Sequence, residues 1–264
     1  MNLKNDMKYL FSSWAKISPQ IQKSPLTFLF FDYDGTLTPI VATPELAKIS
    51  PAVRNSLKKL KKDPRFKLAI ISGRSLANVK KMVGIKGIVY AGNHGLEIED
   101  GANLFHRVGG INSTYAVEQV TSKLNKALAD IKGVIVEDKG CTLSVHYRLV
   151  KPAKRILVKR AFSRIVAPYV LSRKLKSSAG KMVLEVRPGI EWDKGKAVLC
   201  LLKKYKRALP IHIGDDVTDE DAFKAIKGKG ISIFVGPRKI KSKADYFLKN
   251  TSEVKLFIER MLDL

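Results

Sequence analysis

Short apolar runs of four or five residues recur along the chain, separated by longer segments of mixed polarity. Such runs are typical of strands buried on both faces, and the intervening segments are long enough for helices. Strands that alternate with helices at this spacing predict an α/β fold with a doubly wound parallel sheet. The predicted strands are Phe28–Phe31, Lys67–Ile71, Gly87–Ala91, Pro210–Ile213 and Ile231–Val235.

Helices are predicted between these strands and before the first of them. Ser50 followed by Pro51 is a typical helix start, with serine as the cap and proline at the first helical position. A short amphipathic helix, Met7 to Trp14, is predicted ahead of the first strand. The remaining predicted helices of this part cover residues 75–83, 192–205, 219–228 and 252–262.

A different pattern fills the middle of the chain. Residues 113–131 and 152–170 predict helices, and each helix is followed by two strands, at 134–138 and 141–149 and then at 173–178 and 181–187. This order predicts a separate α+β unit with an antiparallel sheet, inserted into the first fold. The predicted division is an N-terminal helical extension (1–25), a core (26–109 and 188–264) and an insert (110–187).

The inserted strands alternate apolar and polar residues along 141–149 and 181–187. Alternate residues point to opposite faces of a sheet, so helices would cover the apolar face and leave a polar face rich in hydrogen-bond donors. Two interpretations remain open. The polar face is simply exposed to solvent, or it belongs to a lid that closes over a hydroxyl-rich anion.

The composition argues against a disulfide-rich, zinc-binding, secreted or membrane-spanning protein. The chain has 264 residues, of which 45% are hydrophobic, and only two cysteines, Cys141 and Cys200. Two cysteines do not make a disulfide framework or a zinc site, and they fit a reducing compartment. No apolar run approaches the roughly 20 residues that span a bilayer. The N-terminus lacks the continuous apolar region of a signal peptide. We therefore expect a cytoplasmic protein without a membrane partner.

The net charge of +25 comes from 49 Lys and Arg against 24 Asp and Glu. This balance suits a nucleic acid or an anionic small substrate. The lysines are scattered through all segments, without an arginine-rich tail or a basic stripe interleaved with aromatics, so a lysine-rich solvated surface explains them equally well. Charge alone does not choose among these classes.

Polar side chains follow several predicted strands at the point where each strand ends. Asp32 and Asp34 come directly after the first strand, with Gly35 behind them, and Ser72 follows the second. Five carboxylates crowd into 215–221 after a later strand. Carboxylates this close repel one another unless a divalent cation or a shared proton intervenes. Ligands bind at this edge of open α/β sheets. The competing interpretation is an ordinary Asp-Gly turn.

In this order the motifs resemble those of the haloacid dehalogenase-like phosphohydrolases, a superfamily with a Rossmann-like core and, in one class, an inserted α+β cap. Within it, the chain is similar to the trehalose-6-phosphate phosphatases. The resemblance rests on Asp32–Ile40 (DYDGTLTPI), Gly92–Gly95 (GNHG), Ser144–Arg148 (SVHYR), Gly180–Pro188 (GKMVLEVRP), Trp192–Gly195 (WDKG) and Gly214–Glu220 (GDDVTDE).

The resemblance implies how the carboxylates are used. Asp32 would attack phosphorus and become an aspartyl phosphate. Asp34 would protonate the departing sugar oxygen and then activate water. Magnesium would lie between Asp32, the Asp34 carbonyl and Asp215, while Asp216 and Asp219 would hold metal-bound waters or orient ligands.

The resemblance also implies the substrate contacts. Ser72 would donate to a phosphate oxygen, and Lys194 would pair with phosphate and with the nucleophile. Lys181 and Glu185 of the cap would reach sugar hydroxyls. Further substrate-binding candidates, chosen from face and position, are Gly73, Asn93, His94, Arg148 and Arg187. We expect Arg74 to be structural and His212 to be a satisfied core histidine.

The implied activity is hydrolysis of trehalose 6-phosphate, the last step of trehalose biosynthesis, with a synthase of that pathway as a further partner. The nearest alternative is the same chemistry on sucrose-6-phosphate, mannosyl-3-phosphoglycerate or glucosylglycerol phosphate. A remote alternative is a basic nucleic-acid-binding protein on a degenerate fold of this kind. The intact acidic set argues against that alternative, because a carboxylate cluster repels a phosphate backbone.

Overall fold

The computed structural model describes residues 7–101, 103–107, 111–238 and 241–264. The chain divides into two compact units, Met1–His106 with Trp192–Leu264 and Arg107–Glu191. The predicted boundary between residues 109 and 110, and the first six residues of the predicted extension, lie outside the described residues. The division into extension, core and cap stays a prediction.

Strands and helices are numbered in chain order. The strands are β1 (Lys8–Tyr9), β2 (Thr27–Phe31), β3 (Phe66–Ile71), β4 (Val89–Gly92), β5 (Glu97–Asp100), β6 (Asn103–Arg107), β7 (Ile135–Asp138), β8 (Leu143–His146), β9 (Leu175–Gly180), β10 (Val183–Pro188), β11 (Leu209–Gly214), β12 (Ile231–Val235) and β13 (Tyr246–Leu248). The helices are α1 (Trp14–Lys23), α2 (Pro51–Leu60), α3 (Leu76–Val83), α4 (Ile111–Leu128), α5 (Arg155–Leu171), α6 (Lys194–Lys204), α7 (Asp219–Ile226) and α8 (Thr251–Leu262).

Within the described residues, nine strands form one sheet in the order β1-β13-β12-β11-β2-β3-β4-β5-β6. In this order, every pair of neighbours from β1 to β4 is parallel. Strand β5 pairs with β4 in the antiparallel direction. The predicted parallel α/β arrangement is therefore confirmed. Because β11, β2, β3 and β4 are neighbours running in the same direction, their carboxyl ends meet at one edge of the sheet.

The central strand β2 explains why helices cover both faces of this sheet. All five of its residues are buried. Leu29 and Phe31 lie in one apolar cluster with residues of α2 and α8, whereas Phe28 and Phe30 lie in a second cluster with residues of α6 and α7. Alternate residues of a strand face opposite ways, so an unbroken apolar run requires a helical layer on each side.

The second unit has an antiparallel sheet of described strands in the order β7-β8-β10-β9. Its apolar residues Leu143, Val145, Leu184 and Val186 pack with residues of α4 and α5 in a core of their own. The predicted order of helices and strands in the insert is confirmed. Helices cover the apolar side of its sheet, as the alternation indicated.

The predicted helix from Met7 to Trp14 is wrong. Lys8 and Tyr9 instead form a strand whose partners are Tyr246 and Phe247 of β13, and the first α-helix begins at Trp14. A strand of two residues is stabilised by pairing with a segment near the other end of the chain, so no local pattern indicates it. Among the described residues, no helix has both the length and the apolar character that crossing a membrane demands.

Candidate active site

The loop after β2 carries the two aspartates that begin the acidic motif. The Asp32 amide continues the sheet by donating to the Ile213 carbonyl at 2.9 Å. Gly35 has a φ of +87°, a left-handed value that glycine adopts without strain. A Cβ added to Gly35 would lie 2.0 Å from Asp215 Oδ2. Glycine therefore lets the loop turn sharply while its backbone passes directly against Asp215.

Lys194 joins two carboxylates from distant parts of the chain. It is the first residue of α6, and the Asp193 side chain caps this helix by accepting from the Lys196 amide at 2.7 Å. Lys194 Nζ donates to Asp32 Oδ1 at 2.6 Å and to Asp219 Oδ1 at 2.9 Å. Burial lowers the pKa of Lys194, but the charges of Asp219 and Asp32 raise it by more, so the lysine stays a cation.

Three carboxylates meet beside this lysine. One oxygen each of Asp32, Asp215 and Asp219 lies within 4.8 Å of the other two. Burial raises the pKa of Asp32 well above its usual range, against the Lys194 charge and with the help of Asp219 and Asp215. Burial and the Asp219 charge raise the pKa of Asp215 to about 7. Crowded oxygen donors of this kind fit a hard divalent cation.

Asp219 differs electrostatically from the other two carboxylates. Burial raises its pKa, but the Lys194 charge and the His212 hydrogen bond lower it by more, so Asp219 stays ionised. Asp216 is exposed, and its backbone amide donates to Asp219 Oδ2 at 3.2 Å. The Asp216 carboxylate itself accepts from the Val217 amide at 2.6 Å. The backbone of Asp216, not its carboxylate, therefore contacts the cluster.

Asp34 is bound by an arginine from the end of the neighbouring strand. Arg74 Nε and Nη2 donate to the two Asp34 oxygens, each at 2.7 Å. The same guanidinium donates to the Pro44 carbonyl at 2.8 Å and to Asn78 Oδ1 at 3.0 Å. The Arg74 side chain is 8% exposed and that of Asp34 is 43% exposed. A buried fork therefore orients a carboxylate that remains accessible to water.

The loops after β3 and β4 are tied to each other. The His94 amide donates to the Ser72 carbonyl at 2.9 Å, and the Asn93 amide donates to the Arg74 carbonyl at 2.7 Å. The Asn93 side chain donates to Glu97 at 3.1 Å. Asn93 and His94 have positive φ values of 51° and 57°. The structure thus brings the candidates Ser72, Asn93 and His94 together.

Gly73 lies under the His94 ring. A Cβ on Gly73 would be 2.7 Å from His94 Cε1, so the ring packs directly on the glycine backbone. The Ser72 hydroxyl oxygen accepts from the Arg74 amide at 3.2 Å, which leaves the hydroxyl proton directed elsewhere. These positions suit groups that line a small polar site at the edge of the sheet.

The other four predicted substrate-binding residues belong to the second unit. Glu185 accepts from Ser144 Oγ at 3.2 Å and lies 3.8 Å from Lys139 Nζ. Arg148 Nη2 donates to the Lys181 carbonyl at 3.3 Å. Arg187 is half-buried and lies opposite Lys176 in the sheet register, on the face that also carries Glu185. Glu185 and Arg187 therefore share one face of β10, whereas Lys181 lies in the turn between β9 and β10 and Arg148 follows the end of β8.

Sequence reasoning missed two contacts of this site. Arg74 was expected to be structural, yet it binds the Asp34 carboxylate directly. His212 is buried and its Nε2 has a partner, as predicted for a core histidine, but the partner is Asp219 of the acidic cluster, with Oδ1 2.8 Å away. Burial lowers the pKa of His212. One signal in the sequence could have indicated this contact. His212 is a polar residue in an otherwise apolar strand, two positions before the strand ends and the acidic loop begins.

Comparison with known proteins gives a consistent answer. The trehalose-phosphatase family model matches residues 30–252. Probable trehalose-phosphate phosphatase D of Arabidopsis thaliana is 35% identical, over 96% of this chain and 74% of the relative. Probable trehalose-phosphate phosphatase 3 of Oryza sativa subsp. japonica is likewise 35% identical, over 96% of this chain and 74% of its own length.

Solved structures share the fold. The C-terminal domain of Candida albicans trehalose-6-phosphate phosphatase superposes with a TM-score of 0.83 at 24% identity, covering 98% of both chains. Aspergillus fumigatus trehalose-6-phosphate phosphatase gives 0.67 at 29% identity, over 97% of this chain and 99% of that one. A haloacid dehalogenase-like hydrolase from Bacteroides thetaiotaomicron gives 0.63 at 19%, over 89% and 99%. The predicted fold class is confirmed, and with the family match over most of its length the chain belongs to the trehalose-phosphatase family.

Proposed function

We propose that this chain hydrolyses trehalose 6-phosphate to trehalose and phosphate, with Asp32 as the nucleophile. The observation that carries the proposal is the buried Asp32 side chain, 7% exposed and held by Lys194 Nζ at 2.6 Å beside Asp215 and Asp219. The family match and the names of the curated relatives support the substrate. A trehalose 6-phosphate synthase would supply it, which makes this the last step of trehalose biosynthesis.

The first half of the reaction transfers the phosphoryl group to Asp32. A carboxylate oxygen of Asp32 attacks phosphorus in line as the bond from phosphorus to the sugar oxygen breaks. Asp34 gives its proton to that oxygen, so trehalose leaves as a neutral alcohol. Arg74 holds Asp34 by two hydrogen bonds of 2.7 Å and so orients its carboxyl group.

The second half releases phosphate. Asp34, now ionised, takes a proton from a water molecule, and the water oxygen attacks the phosphorus of the aspartyl phosphate. The acyl-phosphate bond breaks and the Asp32 carboxylate is restored. The 43% exposure of the Asp34 side chain gives this water access from solvent. One carboxylate therefore acts as acid and then as base within a single turnover.

Ser72 and Lys194 bind the transferred group. The Ser72 hydroxyl oxygen accepts from the Arg74 amide, and a hydroxyl group can accept and donate at the same time. The Ser72 hydroxyl proton can therefore be donated to a phosphate oxygen. Lys194 stays cationic and offers positive charge to both Asp32 and the phosphate. Charge-assisted donors that face developing negative charge lower the barrier to phosphoryl transfer.

The donor set around Asp32 fits magnesium, which prefers carboxylate and carbonyl oxygens. Asp32, Asp215 and the Asp34 carbonyl would hold the ion, and Asp219 and Asp216 would hold its waters or orient its ligands. The proximity of oxygens from Asp32, Asp215 and Asp219 supports this assignment. A bound magnesium ion supplies positive charge that offsets the charge of the carboxylates and the phosphoryl group.

We propose that the second unit is the cap that selects the sugar. Lys181, Glu185, Arg148 and Arg187 supply donors and acceptors that suit hydroxyl groups. Asn93 and His94 of the first unit are further candidates for the sugar next to the phosphate. The hydrogen bond from Ser144 to Glu185 supports the proposal because it orients the carboxylate within its sheet.

A panel of phosphosugars tests the proposed function. Trehalose 6-phosphate, sucrose-6-phosphate, mannosyl-3-phosphoglycerate and glucosylglycerol phosphate are offered with magnesium and with a chelator, and released phosphate is measured. We expect the highest kcat/KM on trehalose 6-phosphate and loss of activity with the chelator. A higher kcat/KM on another phosphosugar of the panel would reject trehalose 6-phosphate as the substrate but leave the proposed phosphatase mechanism in place.

The matched control is Asp32→Asn, which keeps the size of the side chain and removes the nucleophile. We expect a loss of at least about a thousandfold in kcat, since covalent catalysis is abolished. The variant should still fold, as judged by circular dichroism. Undiminished phosphate release by folded Asp32→Asn would reject the assigned nucleophile.

A further inference from the structure

His212 is a buried titratable side chain that the mechanism above does not use. It lies in β11 with no exposed surface, and its ring packs against those of Phe30 and Phe223, with centroids 6.4 and 5.5 Å away. Its Nε2 lies 2.8 Å from Asp219 Oδ1, whereas Nδ1 has no hydrogen-bond partner among the described residues. An ionised carboxylate can only accept, so the ring donates from Nε2 and turns Nδ1 toward apolar neighbours.

This hydrogen bond is the first link of a continuous chain to the nucleophile. His212 Nε2 contacts Asp219 Oδ1 at 2.8 Å, Asp219 Oδ1 accepts from Lys194 Nζ at 2.9 Å, and Lys194 Nζ donates to Asp32 Oδ1 at 2.6 Å. All four side chains are buried. Each link is short and joins groups in a shielded interior, where hydrogen bonds to charged partners are strong.

Asp219 is fixed on every side by these contacts. Its Oδ1 accepts from His212 and Lys194, and its Oδ2 accepts from the Asp216 amide at 3.2 Å. A Cβ on Gly214 would lie 2.1 Å from the Asp219 carboxyl carbon, so the carboxylate packs flat on the glycine backbone. The terminal torsion of an aspartate is otherwise broad. Three donors and one packed face therefore define a single orientation.

Lys194 depends on that orientation. A lysine ammonium sits on a flexible stem and can rotate its three donors, so its position follows the acceptors around it. Two acceptors are present, Asp32 and Asp219. If Asp219 could rotate, the ammonium would move with it and would no longer be fixed against the Asp32 oxygen. A displacement of this kind is costly for catalysis even when substrate still binds.

We propose that His212 is a positioning residue for phosphoryl transfer, fixing Asp219 and through it the Lys194 ammonium against Asp32. The inference rests on the proposed function of Asp32 and Lys194. The hydrogen bond of His212 is to Asp219 and not to the nucleophile, so His212 acts through Asp219 and Lys194. Its effect should therefore fall on kcat and leave KM nearly unchanged.

Two variants of equal length separate the hydrogen bond from the packing. His212→Gln keeps an amide donor near the position of Nε2, and His212→Met has a similar length without a donor. We expect His212→Met to lose about tenfold or more in kcat, the scale of a hydrogen bond to a charged group, with KM changed by no more than about twofold. We expect His212→Gln to recover most of that loss.

Ser232→Ala is the structural control. Ser232 lies opposite His212 in the pairing of β11 with β12, is equally buried, and donates to Asp245 at 2.7 Å. This variant loses that hydrogen bond and the one that Ser232 Oγ accepts from the Asp245 amide at 2.9 Å, and neither involves Lys194. We expect a lower melting temperature and an unchanged kcat for the folded fraction.

The assay uses p-nitrophenyl phosphate beside trehalose 6-phosphate, with kcat normalised to folded protein. Equal kcat in the glutamine and methionine variants would overturn the inference, as would a loss of kcat in Ser232→Ala as large as that in His212→Met. If the methionine variant does not fold, His212→Asn places its amide one methylene short and is expected to show the same kcat loss. Failure of wild-type protein and of Asp32→Asn to differ on either substrate would instead overturn the proposed function.

Discussion

Asp32 and Asp34 stand two residues apart yet lie in opposite environments. The Asp32 side chain is 7% exposed and is bound by Lys194, whereas the Asp34 side chain is 43% exposed and is bound by Arg74. A nucleophile benefits from shielding, because a dry site strengthens the electrostatic contacts that stabilise the transition state. A group that moves protons needs contact with water. The division of labour between the two carboxylates follows from these surroundings.

Arg74→Lys should separate the two roles. A lysine cannot reproduce the two parallel hydrogen bonds to Asp34, so we expect kcat on trehalose 6-phosphate to fall by about tenfold to a hundredfold. The loss on p-nitrophenyl phosphate should be smaller, because nitrophenolate leaves without a proton. The measurement is the ratio of kcat on the two substrates.

Arg54→Lys is the matched control for this experiment. Arg54 also uses its guanidinium for a backbone contact, with Nη2 donating to the Met82 carbonyl at 3.1 Å. No contact between Arg54 and Asp34 exists among the described side chains. We expect the control to leave the kcat ratio unchanged. Equal losses on both substrates in Arg74→Lys would contradict a role in proton transfer.

Which residues could be identified from the sequence depends on where their partners lie. Asp32, Ser72, Lys194 and Asp215 stand at the ends of predicted elements, and parallel topology brings such ends to one edge. The contact of His212 with Asp219 depends on the side of β11 that the histidine faces and on the turn into α7. Neither is written in a local pattern, so the contact had to come from the structure.

At the scale of elements, Asp100 links β5, β3 and α6. It lies opposite Val89, the first residue of β4, and so at the edge of the sheet away from the acidic cluster. It ends β5 and accepts from Lys67 of β3 at 2.9 Å, from Lys204 of α6 at 2.6 Å and from Tyr205 at 2.7 Å. The Asp100 side chain is 5% exposed. Burial raises the pKa of Asp100, but these three hydrogen bonds lower it by more, to about 2.

This pKa predicts how stability depends on pH. A carboxyl whose folded pKa lies below its unfolded value contributes stability above the unfolded pKa of 3.8 and loses it as pH falls toward about 2. We expect Asp100→Asn to be less stable than wild type near pH 6 by about 1 kcal/mol, after allowance for solvent screening at Lys204. The difference should shrink between about pH 4 and pH 2, as followed by melting temperature.

Asp63→Asn serves as the comparison variant. Asp63 pairs with Arg65 at 2.6 Å in an exposed position, where an ion pair contributes little. Its substitution should change stability much less than that of Asp100. A gap between Asp100→Asn and wild type that stays constant from pH 6 to pH 2 would show that packing, not the ionised carboxylate, provides the stability.

The longer elements were largely predictable, whereas the short strands β1 and β13 were not. Buried strands such as β2 are unbroken apolar runs, and α2 starts at a recognisable cap where Ser50 accepts from the Val53 amide at 3.2 Å. β1 and β13 were not foreseen because two or three residues carry too little periodicity. Their pairing extends the sheet at an edge that local patterns do not register.

At the scale of the molecule, the site is acidic although the chain as a whole is strongly basic. The chain carries 49 Lys and Arg against 24 Asp and Glu. The carboxylates of Asp32, Asp215 and Asp219 nevertheless gather in one place, with Lys194 as a neutralising partner. One lysine does not balance three carboxylates. The cluster therefore costs folding free energy unless a cation joins it.

This cost predicts that magnesium stabilises the whole chain. A ligand that binds only the folded state raises stability in proportion to the logarithm of its concentration over its dissociation constant. At ten times that constant we expect about 1.4 kcal/mol, or a rise of about 2–4 °C in melting temperature for a chain of this size. Differential scanning calorimetry with magnesium chloride and with sodium chloride at equal ionic strength measures the effect without reference to activity.

Asp215→Asn identifies where the ion acts. Above about pH 7, where Asp215 is ionised, the variant removes a negative charge from the crowded cluster. Without metal we therefore expect it to melt above wild type at about pH 8, since repulsion in the folded state is reduced. Added magnesium should then shift its melting temperature much less than that of wild type. If sodium chloride raised the melting temperature of the wild type as much as magnesium chloride does, the effect would be ionic screening and not binding. A full magnesium shift in Asp215→Asn would place the stabilising ion away from this cluster.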